Sequence, residues 1–566
     1  MGFRVSPGVD VTEQSVSLVA PAVGTTEGGF AGHFQWGPVE EIINLANEVE
    51  LVDRVHIPDA NTFTSFFTIA NFLQYTGQAR LVRASADGMR NAIANSNATS
   101  VMIKNRDHYD NQFASGANTY GMWAAKYPGD LGNGLKVSIF YSSDTALFAA
   151  WIYNGYFDGA PVTSDYVSTR GGTEDGIHIV VVDALGKFSG AANTVLERFG
   201  YASKASDAKN SDGTSNYYKD VVNRRSKYIW WLAHPDAGTG PANSAGWGVT
   251  ANGTTFSTGN GLSHTVTLSK GVIATPAAGN TINGFSKFVN ANEVDVALLM
   301  TGDHNASVVN YAVQSVAEIR KDAVVFASPT MNNVVNNAGN ETTDVITYRN
   351  TLPTSTYAFM DCNWKYQYDR YNDVYRWVPL NGDVAGLAAR TDLQYDPWFS
   401  IAGYTRGQIK NVFKLAWNPS EANIKDLYRS SVNAIIIEKG EGPILFGDKT
   451  LVSKPDAFDR INVRRLFIIL EKSIAKAAKY FLFDINDQYT RAQFVSMVEP
   501  FLRNIQGRRG IFAFQVICDE TNNTPDVIDR NEFVGSIRVK PARSINFIRL
   551  NFTAVGTGVS FEEVVG

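Results

Sequence analysis

Three consecutive segments constrain this chain more than any other feature. Val294–Met300 (VDVALLM) is an apolar run of strand length. Ala306–Lys321 repeats apolar residues at helical spacing, and Ala323–Ala327 (AVVFA) is a second apolar run. Strand, helix, strand in so short a stretch is one βαβ unit, which requires a parallel pair joined by a right-handed crossover. A second stretch, 23–85, reads the same way. Gly28–Gly37 is strand-like, helices are expected near Asn47–Val55 and Thr62–Tyr75, and Ala79–Ala84 (ARLVRA) is a short strand. In the second helix Phe63, Phe66, Phe67, Ala70 and Leu73 recur at three and four, as a buried face requires. The fold class is therefore α/β, in a multidomain α+β arrangement, with 23–85 and 290–390 assigned to one middle α/β domain.

The 566 residues allow several domains. Residues 86–165 and 166–289 change character, with Gly-rich turns around strand-like runs such as Lys136–Tyr141 and Ile177–Val182. They are expected as two nested outer insertions, the first β-rich, the second α/β or β-rich. An aromatic-rich stretch, Trp364–Trp377, follows the βαβ unit. Residues 391–545 are expected to form a separate inner domain. There, a helix capped by Asp459 runs to about Leu482, with Val463, Leu466, Phe467, Leu470, Ile474, Ala477, Ala478 and Phe481 on one face. Thr490 and Gln493 have capping-box spacing for a second helix, which Pro500 should kink. Strands are expected at Ile511–Cys518, Gly535–Val539 and Ser544–Thr553. The two chain ends, 1–22 and 546–566, read as extended arms, in which Val9, Val11, Val16, Leu18, Val559 and Phe561 are the candidate strand-forming residues. An alternating segment with no adjacent hairpin partner must pair elsewhere.

Composition excludes several function classes. A formal net charge of −5 disfavours a dominant nucleic-acid partner, and two cysteines exclude a disulfide scaffold or a Cys-rich zinc module. No apolar run is long enough for a membrane span, and the first residues lack a signal-peptide core. The seven histidines are scattered singly, without metal-ligand spacing. Gly440–Thr450 approaches a phosphate loop, but Asp448 stands where the lysine is needed, so a structural turn is expected. Asp484, Asn486 and Asp487 begin like a calcium loop that lacks its glycine and its closing glutamate. No Gly-x-Ser-x-Gly elbow is present. No cofactor, metal or catalytic residue is expected. What stands out is a basic stripe in an acidic chain: Arg465, Lys472, Lys476 and Lys479 share the polar face of the long helix, with Arg508 and Arg509 at a turn placed as an extension of it.

Three stretches together resemble a contractile-tail sheath protein of the myovirus type. They are Ser6–Glu13 with Ala31–Pro38 and Asn47–Val52; Asn71–Tyr75 leading into Leu81–Ala84; and Asp396–Gly407 with Asn433, Gly447–Leu451 and Ile461–Arg465. The resemblance covers both chain ends and leaves the middle, about 86–290, without a counterpart. It implies a structural, non-enzymatic subunit that polymerises with itself as stacked hexameric rings around a tail tube. The arms would add strands to neighbouring subunits, and contraction from a metastable extended state would drive the tube through a cell envelope. It also implies baseplate and tail terminator proteins as further partners, no direct nucleic-acid contact, no membrane insertion, and a place in the virion after assembly in the host cytoplasm. The basic stripe would face the tube. The sheath of a headless particle or secretion apparatus is the alternative, with a virion-associated enzyme behind it.

Overall fold

The computed structural model describes residues 24–235, 246–258 and 263–546. These divide into two compact units, one of 24–394 with 401–461 and a smaller one of 395–400 with 462–546. Residues 401–461, expected within the inner domain 391–545, thus pack with the larger unit. They supply the third strand of one of its small sheets and both strands of another.

The larger unit begins with β1 (Gly28–Gly32), β2 (Ile42–Leu45) and β3 (Ala79–Arg83). Helices Glu48–Val55 and Phe63–Leu73 lie between β2 and β3, and Asn47 caps the first through its side-chain oxygen. The expected strand Gly28–Gly37 stops at Gly32. Beyond it, the carbonyls of Phe34, Gln35 and Gly37 turn toward the buried Arg83 guanidinium instead of a sheet partner.

The chain then leaves for an outer β-rich body. Its strands are β4 (Trp123–Ala125), β5 (Leu135–Phe140), β6 (Gly176–Asp183), β7 (Thr194–Ser203), β8 (Ile229–Trp231) and β9 (His264–Thr267). Four of them make one antiparallel sheet in the order β7-β6-β5-β9, and β4 pairs with β8. Both pairings cross the expected border at 165/166, so the two insertions are one interleaved body. Its core draws Trp123, Val137 and Ile139 from the first part and Ile179, Tyr218 and Trp231 from the second.

On return, β10 (Leu298–Met300), β11 (Val324–Ala327) and β12 (Ala358–Met360) complete a six-stranded sheet, ordered β12-β11-β10-β1-β3-β2. Every pairing is parallel except β2 with β3. The βαβ unit read from the sequence is the β10–β11 pair, with Leu298 opposite Val324. Its crossover helix widens to a π-helix over Ala312–Ala317. Both faces of the sheet are covered, as parallel strands require. Ala31, Val82, Leu299 and Val325 pack with Phe285, Val309, Val313 and Val316 on one side. On the other, β1 approaches helix Phe63–Leu73 so closely that a Cβ on Gly28 would lie 2.4 Å from the Phe72 ring.

A second helix on that side, Asn381–Gln394, closes the sheet in two ways. First, it packs against Phe63–Leu73 through Gly382, where a Cβ would stand 2.2 Å from the Thr68 carbonyl oxygen. Gly382→Ala is therefore expected to cost about 1–3 kcal/mol by overpacking against backbone, read as a lower urea midpoint at unchanged slope. Second, its N-terminus fills the strand ends where open α/β sheets take ligands. Asn381 accepts from the Gly302 amide at 3.0 Å and donates to the Gly302 carbonyl at 2.7 Å. Ser328 accepts from the Asn381 amide at 2.9 Å and donates to Asp361 at 2.6 Å. These buried polar groups satisfy one another.

The remainder of the larger unit includes two small antiparallel sheets. One is β13 (Trp364–Asp369), β14 (Val374–Pro379) and β15 (Lys414–Leu415); the other is β16 (Ala434–Glu438) with β17 (Gly442–Phe446). The near phosphate loop is the turn of the second hairpin together with β17 and the segment to Thr450. Gly440 and Gly442 take φ of 90° and 77°, and Asp448 is ion-paired with Arg460 at 3.0 Å. The long helix starts at Ile461, one residue beyond the start that an Asp459 cap gives, and the Asp459 carbonyl accepts from Thr450 in a bridge beside Lys449 and Arg460.

Candidate assembly surfaces

The smaller unit is built on two helices, Ile461–Ala478 and Gln488–Gly507, and a hairpin of β18 (Ile511–Ile517) and β19 (Ser536–Pro541). Leu466, Leu470, Ile474 and Ala477 of the first helix form one core with Phe494, Val498, Leu502 and Ile505 of the second. The second helix opens on Asp487, whose carboxylate accepts from the Thr490 amide at 2.7 Å. The cap expected at Thr490 is therefore replaced by Asp487, one turn earlier, at the end of the calcium-like run. Pro500 lies inside the helix, which continues to Gly507.

That helix ends in a Schellman motif. The Gly510 amide bonds the Ile505 carbonyl at 2.9 Å and the Arg509 amide bonds Gln506 at 3.0 Å. The left-handed position, φ 65°, is held by Arg509 and not by either flanking glycine. Gly510 is needed for closeness, since its Cβ would meet Ile505 at 2.6 Å. Arg509→Gly is expected to stabilise the chain by about 0.5–1 kcal/mol by removing a strained L-residue, read as a higher melting temperature.

β18 and β19 pair only with each other among the described residues, from Ile511 opposite Pro541 to Ile517 opposite Ser536, with an irregularity between Ile511 and Ala513. Both outer edges therefore present unpaired backbone groups among the described residues, and a two-stranded hairpin is marginal alone. Phe512 adds an exposed ring at 70%. The candidate strand donors Val9, Val11, Val16, Leu18, Val559 and Phe561 lie outside the described residues, as does nearly all of the expected strand Ser544–Thr553.

The structure divides the basic stripe. Arg465 is buried at 4% exposure and cannot belong to a solvent face. Every residue from Ile461 to Leu466 is buried, so the helix is amphipathic only beyond that point. Lys472 is half-buried, and Lys476 and Lys479 are exposed. Arg508 and Arg509 are exposed at the far end of the second helix, about 30 Å from its start at 1.5 Å per residue. They do not extend the lysine patch, and Arg508 is ion-paired with Asp396.

The turn between the helices carries a feature that the sequence pattern did not single out. Tyr480, Leu482, Phe483, Ile485 and Tyr489 are all strongly exposed, Phe483 completely. A cluster of this kind marks an interaction surface. Its signal in the sequence is six large apolar residues within Tyr480–Tyr489, where the helical periodicity stops. Among the described residues, no group of three or more His, Cys, Asp or Glu gathers at metal-binding range.

Comparison with known proteins matches residues 279–451 to the phage tail sheath protein central domain and 453–554 to the phage tail sheath C-terminal domain. The tail sheath protein of Enterobacteria phage T4 is 33% identical over 656 positions, covering 99% of this chain and 99% of that protein. The tail sheath protein of Vibrio phage KVP40 is 32% identical over 670, covering 99% and 100%. Both alignments exceed 566 positions, so these relatives carry insertions that this chain lacks. In fold, the chain is similar to the crystal structure of the sheath tail protein of Desulfitobacterium hafniense, at TM-score 0.54 and 11% identity over 94% of this chain and 100% of that one. It is also similar to the anti-feeding prophage helical sheath in its contracted state, at TM-score 0.50 and 12% identity over 97% and 99%. Full-length identity to proteins of one kind, with two sheath domains matched in order, shows that this chain belongs to the phage tail sheath family.

Proposed function

We propose that this structural subunit of a contractile phage tail sheath polymerises as stacked hexameric rings around a tail tube. In this reading, the terminal segments of neighbouring copies add strands to the β18–β19 hairpin. The hairpin edges, unpaired among the described residues, are the observation that carries it, because main-chain pairing keeps copies linked while side-chain contacts change. Contraction from a metastable extended state then drives the tube through the host envelope. Lys472, Lys476 and Lys479 face the tube in the extended state. Exposed charge pairs are worth only about 0–1 kcal/mol each, so such a hold can be released ring by ring. Baseplate and terminator proteins bound the polymer at its ends, and the sheath is assembled in the host cytoplasm. The polar network around Asn381, which fills the strand ends of the main sheet, supports a non-enzymatic role.

Negative-stain microscopy of the chain with its matching tube protein tests this reading. The intact chain is expected to give tubular polymers with six-fold rings. Deletion of 1–20 or 555–566 is expected to leave a folded, polymerisation-defective protein. Reversing the three lysines to glutamate is expected to stop growth on tubes only. A truncated chain that still makes full-length sheath refutes strand exchange, and normal growth of the lysine variant refutes the tube-facing assignment.

A further inference from the structure

The smaller unit has two chemically opposite ends. At one, the interhelix turn meets the loop joining β18 to β19. Asn486 donates to the Asn523 side chain at 3.2 Å and to the Glu532 carbonyl at 2.8 Å, and Phe481 stacks on Phe533. This end exposes Leu482, Phe483, Ile485 and Tyr489 beside the carboxylates of Asp519, Glu520, Asp526, Asp529 and Glu532. Arg530 is the one exposed cation within that loop, and Lys479 lies on the flanking helix. At the other end, Ala542 donates to the Gly510 carbonyl at 3.1 Å, which joins the strand end to the Schellman turn. This end exposes Arg503, Arg508, Arg509, Lys540 and Arg543, with Phe512 and Ile545 as its apolar residues. Glu499 and Asp396 oppose those cations, paired with Arg503 and Arg508.

Helix Gln488–Gly507 separates the two ends by about 30 Å, so they cannot meet within one unit. Each is nonetheless complementary to the other in charge, and each carries exposed apolar side chains that a partner would cover. We propose that the smaller unit binds end to end to a second copy of this chain, the acidic apolar end of one seated on the cationic apolar end of the next. Such a contact is heterologous: it does not close on itself in a pair, and it propagates into a ring or a helical array. It rests on the self-assembly reading above and goes beyond it by naming a side-chain contact independent of the strand-exchanging arms. It also gives Arg508 and Arg509 a partner other than the tube.

Two full-length variants test the contact. One carries Arg509→Glu and Arg543→Glu, which makes both ends acidic. The other carries Glu520→Lys, Asp526→Lys and Asp529→Lys, which makes both ends cationic. Sedimentation velocity of each alone is expected to show self-association at least roughly tenfold weaker than that of the native chain. An equimolar mixture is expected to recover it, and to lose it again between about 50 mM and about 500 mM NaCl. Native-like association of either variant alone overturns the proposal. So does a mixture that fails to associate while both variants keep the native circular dichroism spectrum. If the mixture pairs but the native chain builds no rings on tubes, the end contact stands and the sheath-polymer reading falls.

Discussion

Replacing Arg83 by alanine is expected to remove about 3–5 kcal/mol of folding stability, read by urea unfolding. The side chain is fully buried and makes no ion pair among the described residues. Instead, its guanidinium donates to four backbone carbonyls: Phe34 at 2.8 Å through Nε, Gly37 at 2.8 Å through Nη1, and Gln35 at 3.1 Å and Pro128 at 2.8 Å through Nη2. One planar fork thus ties the end of β3 to the loop after β1 and to the outer body. Truncation strands those acceptors in a dry site, at about 1–3 kcal/mol for each one that water entering the space does not reach. Arg83→Lys keeps the charge but offers a compact ammonium, which cannot span four fixed carbonyls. It is expected to lose roughly half as much. The same residue couples the two bodies: Trp36, in the loop that Arg83 holds, packs edge-on against Tyr127 at 5.3 Å and Phe188 at 5.1 Å. An alanine variant as stable as the native chain removes this account of how the outer body is fastened.

The parts of this architecture written in local periodicity are legible in the sequence alone. The β10–crossover–β11 unit, the helix around Phe66 and Phe67, and the apolar face from Leu466 to Ala477 each depend on residues three to four apart or on short apolar runs. The parts that are not legible depend on partners distant in sequence. β5 pairs with both β6 and β9, and nothing in 135–140 announces either partner, so composition divides one interleaved body into two. Arg465 has the angular position of a surface residue, and it is buried because its whole segment is. Arg508 and Arg509 follow the lysine stripe in sequence but lie a helix length away, because an intervening helix carries the chain to the other end of the unit. The exposed turn at Tyr480–Tyr489 escapes for the opposite reason. Apolar residues are assigned to cores by default, and only the observed exposure distinguishes a core residue from one awaiting a partner subunit.

Raising the pH from about 7.5 to about 9 is expected to stabilise this protein, against the usual trend. Two lysines of the outer body are buried without an ion pair among the described residues. Lys126 Nζ stands 3.3 Å from the Trp230 ring centre with the Asn223 carbonyl at 3.4 Å, and loss of hydration brings its pKa down to about 7. Lys204 donates to the carbonyls of Tyr141 at 2.9 Å and Glu174 at 2.7 Å, and burial brings it to about 7 as well. In the unfolded chain both titrate near 10.5. Between those values the unfolded state binds more protons, so stability rises with pH across the interval and the penalty is fully present below it. Each lysine is expected to contribute about 2 kcal/mol between about pH 7.5 and about pH 9. The buried thiol of Cys362 works in the opposite direction, because burial raises it and the unfolded thiol ionises first; near pH 9 it offsets only about 0.4 kcal/mol. Raised tyrosines such as Tyr218 act above about pH 10 and set the upper limit of the gain. Urea unfolding at the two pH values measures the slope directly. Lys126→Met, which keeps the contact with Trp230 and removes the amine, is expected to abolish about half of it and to stabilise the chain at about pH 7.5 by about 1–2 kcal/mol. A flat or falling profile across this window, or a methionine variant with the native slope, shows that these amines keep their charge by means other than the carbonyls and rings around them.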